Sequence, residues 1–94
     1  MDKKVHDKDT MEKIRERVAG KVDVQLGKRG ITEAFLKELE NRLKHQRVVK
    51  IRLLKSFRRF SGQSIEDVAS YLAEKTNSKV YEIRGFTLIL VKED

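Results

Sequence analysis

The segment Phe86 to Val91 constrains the fold of this chain more than any other. It reads Phe-Thr-Leu-Ile-Leu-Val, and Leu88, Ile89, Leu90 and Val91 place apolar side chains on both faces of an extended strand. A strand of that kind belongs in the interior of a sheet and not at its edge. It closes a segment, Lys79 to Lys92, that reads as two short strands joined by a tight hairpin connection at Arg84-Gly85.

The partners of that strand lie upstream. In Val48 to Lys55, Val49, Ile51 and Leu53 alternate with Lys50, Arg52 and Leu54. Lys50 and Arg52 then stand together on the face away from the core, about 7 Å apart. In Val22 to Leu26, Val22, Val24 and Leu26 oppose Asp23 and Gln25 in the same way. Between these strands Phe35, Leu36, Leu39 and Leu43 form one face of a helix running from about Glu33 to His45, with Thr32 as its N-cap. Ser64 and Asp67 open another helix with a capping-box-like start. Its buried face is Ile65, Val68, Ala69, Leu72 and Ala73, and Asn77 is its left-handed terminator.

Near the amino terminus Thr10 is expected to cap a short helix carrying Met11, Ile14 and Val18 and ending near Gly20. Residues 1–10 mix both charges with almost nothing apolar and read as a flexible tail, leaving residues 11–94 as a single domain. Ser56 to Gln63 reads as a connection. Tyr71 and Tyr81 are expected in the core or at its edge. The order helix, strand, helix, strand, helix, strand, strand predicts an α/β (α+β) two-layer sandwich with a mixed four-stranded sheet. Its strand–helix–strand units pair in parallel through right-handed crossovers, and the hairpin adds an antiparallel strand.

Charge narrows the function. The 94 residues carry a net +7, but the window Asn41 to Ile65 alone carries +8: Arg42, Lys44, Arg47, Lys50, Arg52, Lys55, Arg58 and Arg59 with no acid, so the rest of the chain sums to −1. Charge needed only for solubility would not be segregated in this way, and a nucleic acid is the expected partner. There is no cysteine, which removes disulfides and thiolate metal ligands from consideration. His6 and His45 are isolated, so no metal or cofactor is expected. No stretch has the apolar length of a membrane span and the amino terminus lacks the apolar run of a signal peptide, so a cytoplasmic protein without a membrane or small-molecule partner is expected. Serines, histidines and acids fall in no nucleophile or paired-acid spacing, and enzyme activity is not expected. A monomer is favoured.

Within this basic chain Gly27-Lys28-Arg29-Gly30 joins the first strand to the helix that Thr32 caps. Two cations at the tip of a glycine-framed loop, beside the backbone N–H groups of a helix start, make an anion site. The same loop also reads simply as a strand-to-helix turn whose glycines supply positive φ. Lys50, Arg52 and Lys55 extend the basic surface, or form an ordinary solvated sheet face. Phe57 and Phe60 flank Arg58 and Arg59, a basic-aromatic pattern suited to stacking unpaired bases; phenylalanines there also serve as plugs at the end of a core.

The run Leu26-Gly27-Lys28-Arg29-Gly30-Ile31-Thr32-Glu33, the helix exit Leu43-Lys44-His45, the strand Val49-Lys50-Ile51 and the closing Ile83-Arg84-Gly85-Phe86-Thr87-Leu88-Ile89-Leu90 resemble the chloroplast RNA splicing and ribosome maturation (CRM) domain in its single-domain YhbY-like form. The resemblance runs from about Met11 to Lys92. It implies a fold similar to the carboxy-terminal domain of translation initiation factor three, with strand order 1-2-4-3 and strand 4 antiparallel. It implies RNA binding with the Gly-x-x-Gly loop at the RNA surface, on ribosomal RNA of large-subunit (pre-50S) precursors in ribosome biogenesis, or on structured intron RNA. Ser56–Gln63 has no counterpart in that resemblance. Two other readings stay open: a dimeric DNA-coating chromatin protein similar to the Alba family, and a module that docks on ribosomal proteins.

Overall fold

The computed structural model describes residues 7–93. Eight elements follow in order: α1 (Lys8–Val18), β1 (Val24–Leu26), α2 (Glu33–Gln46), β2 (Val48–Leu53), α3 (Lys55–Ser61), α4 (Ile65–Thr76), β3 (Ser78–Arg84) and β4 (Thr87–Lys92). The sheet order is β1-β2-β4-β3, with β1 and β2 parallel and β4 antiparallel to both its neighbours. The mixed sheet and strand order expected from the sequence are those observed.

The interior position of β4 follows from its two apolar faces. Leu88 and Leu90 join Val49, Ile51 and Leu53 of β2, Leu39 and Leu43 of α2, and Val68 and Leu72 of α4 in the main core. Ile89 and Val91 face the other way and pack with Val48 of β2 and Ile14 of α1. The helical layer α2–α4 thus covers one face of the sheet, and α1 covers part of the other. Each buried side chain of this size contributes about 1.5–3 kcal/mol relative to exposure.

The caps fix the helix limits. The Thr32 Oγ1 accepts the Phe35 N–H at 3.0 Å, and the Ser64 Oγ accepts the Asp67 N–H at 3.1 Å. Asn77 takes the left-handed conformation (φ 52°) after α4, as expected. In the β3–β4 hairpin Gly85 (φ 58°) supplies the positive φ that a primed two-residue turn needs. Helix α2 runs to Gln46, one residue beyond the expected stop at His45, and Arg47 caps it with φ 72°.

Strand β1 starts at Val24 and not at Val22, after an Asp23 whose side chain is buried and not solvent-facing, and four further expectations change. First, α1 starts earlier: the Asp7 carboxylate accepts the Thr10 N–H at 2.7 Å, so Asp7 is the N-cap and Thr10 is buried inside the helix. Of the expected tail, residues 7–10 are therefore ordered into this helix and its cap, while residues 1–6, with His6, lie outside the described residues. Second, α1 turns Arg17 inward and leaves Val18 exposed. Third, Lys50 is not on an open face; at 9% exposure it lies beneath α1 and its Nζ donates to the Arg17 carbonyl at 2.8 Å. Fourth, Ser56–Gln63 is not merely a connection, because Lys55–Ser61 is helical and ends at Gly62 (φ 64°).

Arg17 is buried because Asp23 is buried opposite it, both side chains being 4% exposed. The Arg17 Nε and Nη2 donate to the two Asp23 oxygens at 2.9 Å each. The same carboxylate accepts the Lys50 backbone N–H at 2.8 Å and the Gln46 amide at 3.3 Å. Burial pushes the Asp23 carboxyl up; the hydrogen bond from Arg17, that from the Lys50 N–H, the Arg17 charge and the Gln46 amide together outweigh it and hold the group below its ordinary value of 3.8. A depressed folded-state value means that this stabilisation is complete above the unfolded value and is lost as the pH falls through the folded one. Asp23→Asn is expected to lower the unfolding free energy at pH 7 by about 3 kcal/mol, because it leaves the buried Arg17 charge with only the exposed Glu16 carboxylate, 3.0 Å away, as its ionic partner. Denaturant titrations of both proteins from neutral to acid pH check this, and the variant's acid limb should be flatter than the parent's.

Candidate nucleic-acid interface

The carboxyl ends of β1 and β2 and the β3–β4 turn meet at one end of the sheet. The Leu54 N–H donates to the Leu26 carbonyl at 2.9 Å, and the Leu53 N–H donates to the Phe86 carbonyl at 2.8 Å. These bonds set three structures side by side: the loop after β1, the helix α3 after β2, and the hairpin turn.

The loop is a closed turn in which the Gly30 N–H donates to the Gly27 carbonyl at 3.0 Å. One of its two glycines is required by the fold. Gly30 has φ +74°, which strains any other residue. A Cβ on Gly27 would lie in ordinary van der Waals contact, 3.6 Å from both the Leu54 Cδ1 and the Ser56 Oγ, so this end of the loop sits against the start of α3. The Gly30 amide is used inside the turn, which leaves the exposed Lys28 and Arg29 at its tip as the groups that can meet an anion.

Helix α3 has no side-chain N-cap and no acid in its first turn. Phe57 on its inner side is buried in the main core, so it is a core residue and cannot stack a base. Phe60, one turn on, is 80% exposed. The Arg58 guanidinium lies 3.6 Å from the centre of the Phe86 ring, and its Nε donates to the Leu53 carbonyl at 3.4 Å. Lys55 and Arg59 are exposed on the same helix.

The strands add a polar row on the face that α1 leaves open. Strand register places Gln25 beside Arg52, Arg52 beside Thr87, and Thr87 beside Arg84. Arg84 also lies 3.8 Å from Glu82, a mostly exposed contact of little energetic weight. Lys28, Arg29, Arg52, Lys55 and Arg59 form no ion pair with any described residue. Like charges gathered without counter-charges raise the local positive potential, which favours a polyanion.

Of the residues read from the sequence as a binding surface, the structure therefore gathers Gly27–Gly30, Arg52, Lys55, Arg58, Arg59 and Phe60 at one end. It removes Lys50 and Phe57 to the interior. Sequence reasoning missed Arg84 and Phe86 as surface residues; the signal for Phe86 was its place in a two-residue hairpin turn, where side chains point away from the sheet. His45 lies on α2 with its Nδ1 2.9 Å from the Asn41 carbonyl, and the described residues contain no cluster that could hold a metal ion. Tyr71 is more exposed than a core residue, with the Lys75 Nζ 5.6 Å from its ring centre. No helix among the described residues is long and apolar enough to cross a membrane.

Comparison with known proteins places this geometry. The solution structure of the hypothetical protein SAV1595 from Staphylococcus aureus, named as a proposed RNA-binding protein, is similar over 92% of this chain and 88% of that one, with a TM-score of 0.59 and 20% sequence identity. At that identity the likeness is one of fold. No curated protein matches the chain. The CRS1/YhbY (CRM) domain family model matches residues 7–92. The chain belongs to the CRS1/YhbY (CRM) domain family.

Proposed function

We propose that this protein binds structured RNA through the end of the sheet where the Gly27–Gly30 turn, α3 and the β3–β4 hairpin meet, and that its target is ribosomal RNA in a precursor of the large ribosomal subunit. The observation that carries the reading is the set of unpaired cations at that end: Lys28, Arg29, Arg52, Lys55 and Arg59 without an acid to neutralise them. Family membership and the proposed RNA binding of the Staphylococcus aureus protein support it. The family resemblance is what supports the choice of a large-subunit target.

In this mechanism the turn positions the RNA and the surrounding cations supply most of the affinity. Lys28 and Arg29 sit at the tip of a turn whose shape is fixed by its own hydrogen bond and by its seat against α3. The backbone that carries these two charges is fixed before binding, so only their side chains have to be ordered on neighbouring phosphates, while Arg52, Lys55 and Arg59 widen the footprint. Each phosphate neutralised releases condensed counterions, so affinity falls with salt in proportion to the number of contacts.

Changing Lys28 and Arg29 together to Ala is expected to weaken binding of a ribosomal RNA fragment and to flatten the slope of log K against log salt by about 1.4–1.8, the share of two phosphate contacts. Fluorescence anisotropy across a salt series measures both quantities. An unchanged affinity and slope would take the loop out of the mechanism; preference for duplex DNA over folded RNA, with a stable dimer, would replace the reading with a DNA-coating one. Gly30→Ala separates the shape of the turn from its charges. It should cost about 1 kcal/mol of stability through its positive φ. In the folded protein it should reduce RNA affinity less than the double variant does, as read by denaturant unfolding and by the same anisotropy series.

A further inference from the structure

The two most exposed large apolar side chains among the described residues are Phe60 (80%) and Phe86 (51%). Phe60 lies on α3 inside the acid-free basic tract, and Phe86 lies on the hairpin turn against Arg58 of that helix. Phe60 has no packing reason to be where it is, and Phe86 packs against the Arg58 guanidinium and not in the core. Phe57 already closes the core beneath α3, and Phe60 lies beyond it. Phe86 occupies a turn position at which any polar residue would serve the backbone, yet a guanidinium lies 3.6 Å from its ring centre.

From these features we infer that α3 and the hairpin tip bind unpaired nucleobases, so that the RNA recognised carries a loop or bulge and not a continuous duplex. The inference rests on the proposed RNA binding and adds the class of RNA. A duplex buries the faces of its bases in its own stack and offers these rings nothing; a splayed base offers a π-face that an aromatic ring or an arginine plane can cover. The Arg58–Phe86 pair is already stacked before the ligand arrives, and the hydrogen bond from the Arg58 Nε to the Leu53 carbonyl fixes its orientation. A base can extend that stack. Phe60 offers a second ring, with Arg59 next to it in the chain to meet the adjoining phosphate.

The division of labour differs from that of the loop. Lys28 and Arg29 contribute charge, which the salt slope reports. Phe60 and Phe86 contribute stacking, which is insensitive to salt and depends on whether the bases are free.

The test compares one stem–loop RNA, with 2-aminopurine in an unpaired loop, against a blunt duplex of the same stem. The parent protein should bind the stem–loop more tightly and change the 2-aminopurine fluorescence. Phe60→Ala, at a site too exposed to affect folding, and Phe86→Leu, which keeps an apolar side chain but removes the ring, should each weaken stem–loop binding about tenfold. Both should suppress the fluorescence change and leave the salt slope and duplex affinity unaltered. Equal affinity of the parent for both RNAs, or variants that bind the stem–loop as the parent does, would overturn the inference while leaving RNA binding in place; the rings would then belong to a protein contact. A parent that binds neither RNA would overturn the underlying reading as well.

Discussion

A single buried carboxylate fixes the arrangement on which the rest of this structure depends. Asp23 precedes β1 and takes hydrogen bonds from Arg17 of α1, from the Gln46 amide at the end of α2, and from the Lys50 N–H of β2. Four elements are thus tied at one point. A buried ion pair of this kind is a weak source of net stability compared with apolar residues of the same volume, because both charges lose their hydration. Its effect here is positional. It sets α1 against the half of the sheet that carries Val48, Ile89 and Val91, and leaves the row Gln25, Arg52, Thr87 and Arg84 uncovered.

That asymmetry separates a core end from the proposed RNA-binding end. At the core end Lys50 is spent on the Arg17 carbonyl, a buried charge directed to a backbone acceptor. At the proposed binding end Lys28, Arg29, Arg52, Lys55 and Arg59 form no ion pair with any described residue. The turn after β1, the start of α3 and the β3–β4 hairpin are joined by backbone hydrogen bonds from Leu53 and Leu54, so the charged side chains stand on a frame whose geometry does not depend on the ligand. Preorganisation of this kind reduces the ordering that binding would otherwise require.

Much of this was legible in the residues. The doubly apolar β4, the amphipathic faces of α2 and α4, the caps Thr32 and Ser64 and the terminator Asn77 each follow from a local rule that the packing obeys. What was not legible is mostly polar burial. Alternation assigns Asp23 and Lys50 to solvent, since a period of two says which side a residue faces but not whether that side is covered. The spacing Thr10, Ile14, Arg17 is as helical as Met11, Ile14, Val18; only the contact with Asp23 selects the first. Helix α3 was hidden for another reason: seven residues without a side-chain N-cap or an apolar stripe carry little helical signal, and its stability comes from burying Phe57. In the candidate site the charge segregation was visible from the start, whereas the places of Arg84 and Phe86 depended on strand register.

The central claim is that one end of the sheet carries the whole RNA contact, and mapping protein–RNA crosslinks by mass spectrometry tests it most directly. The account predicts crosslinked peptides confined to residues 27–30, 52–60 and 84–87. Crosslinks concentrated instead on the exposed faces of α2 and α4, at residues such as Lys37, Lys44 and Lys75, would contradict it.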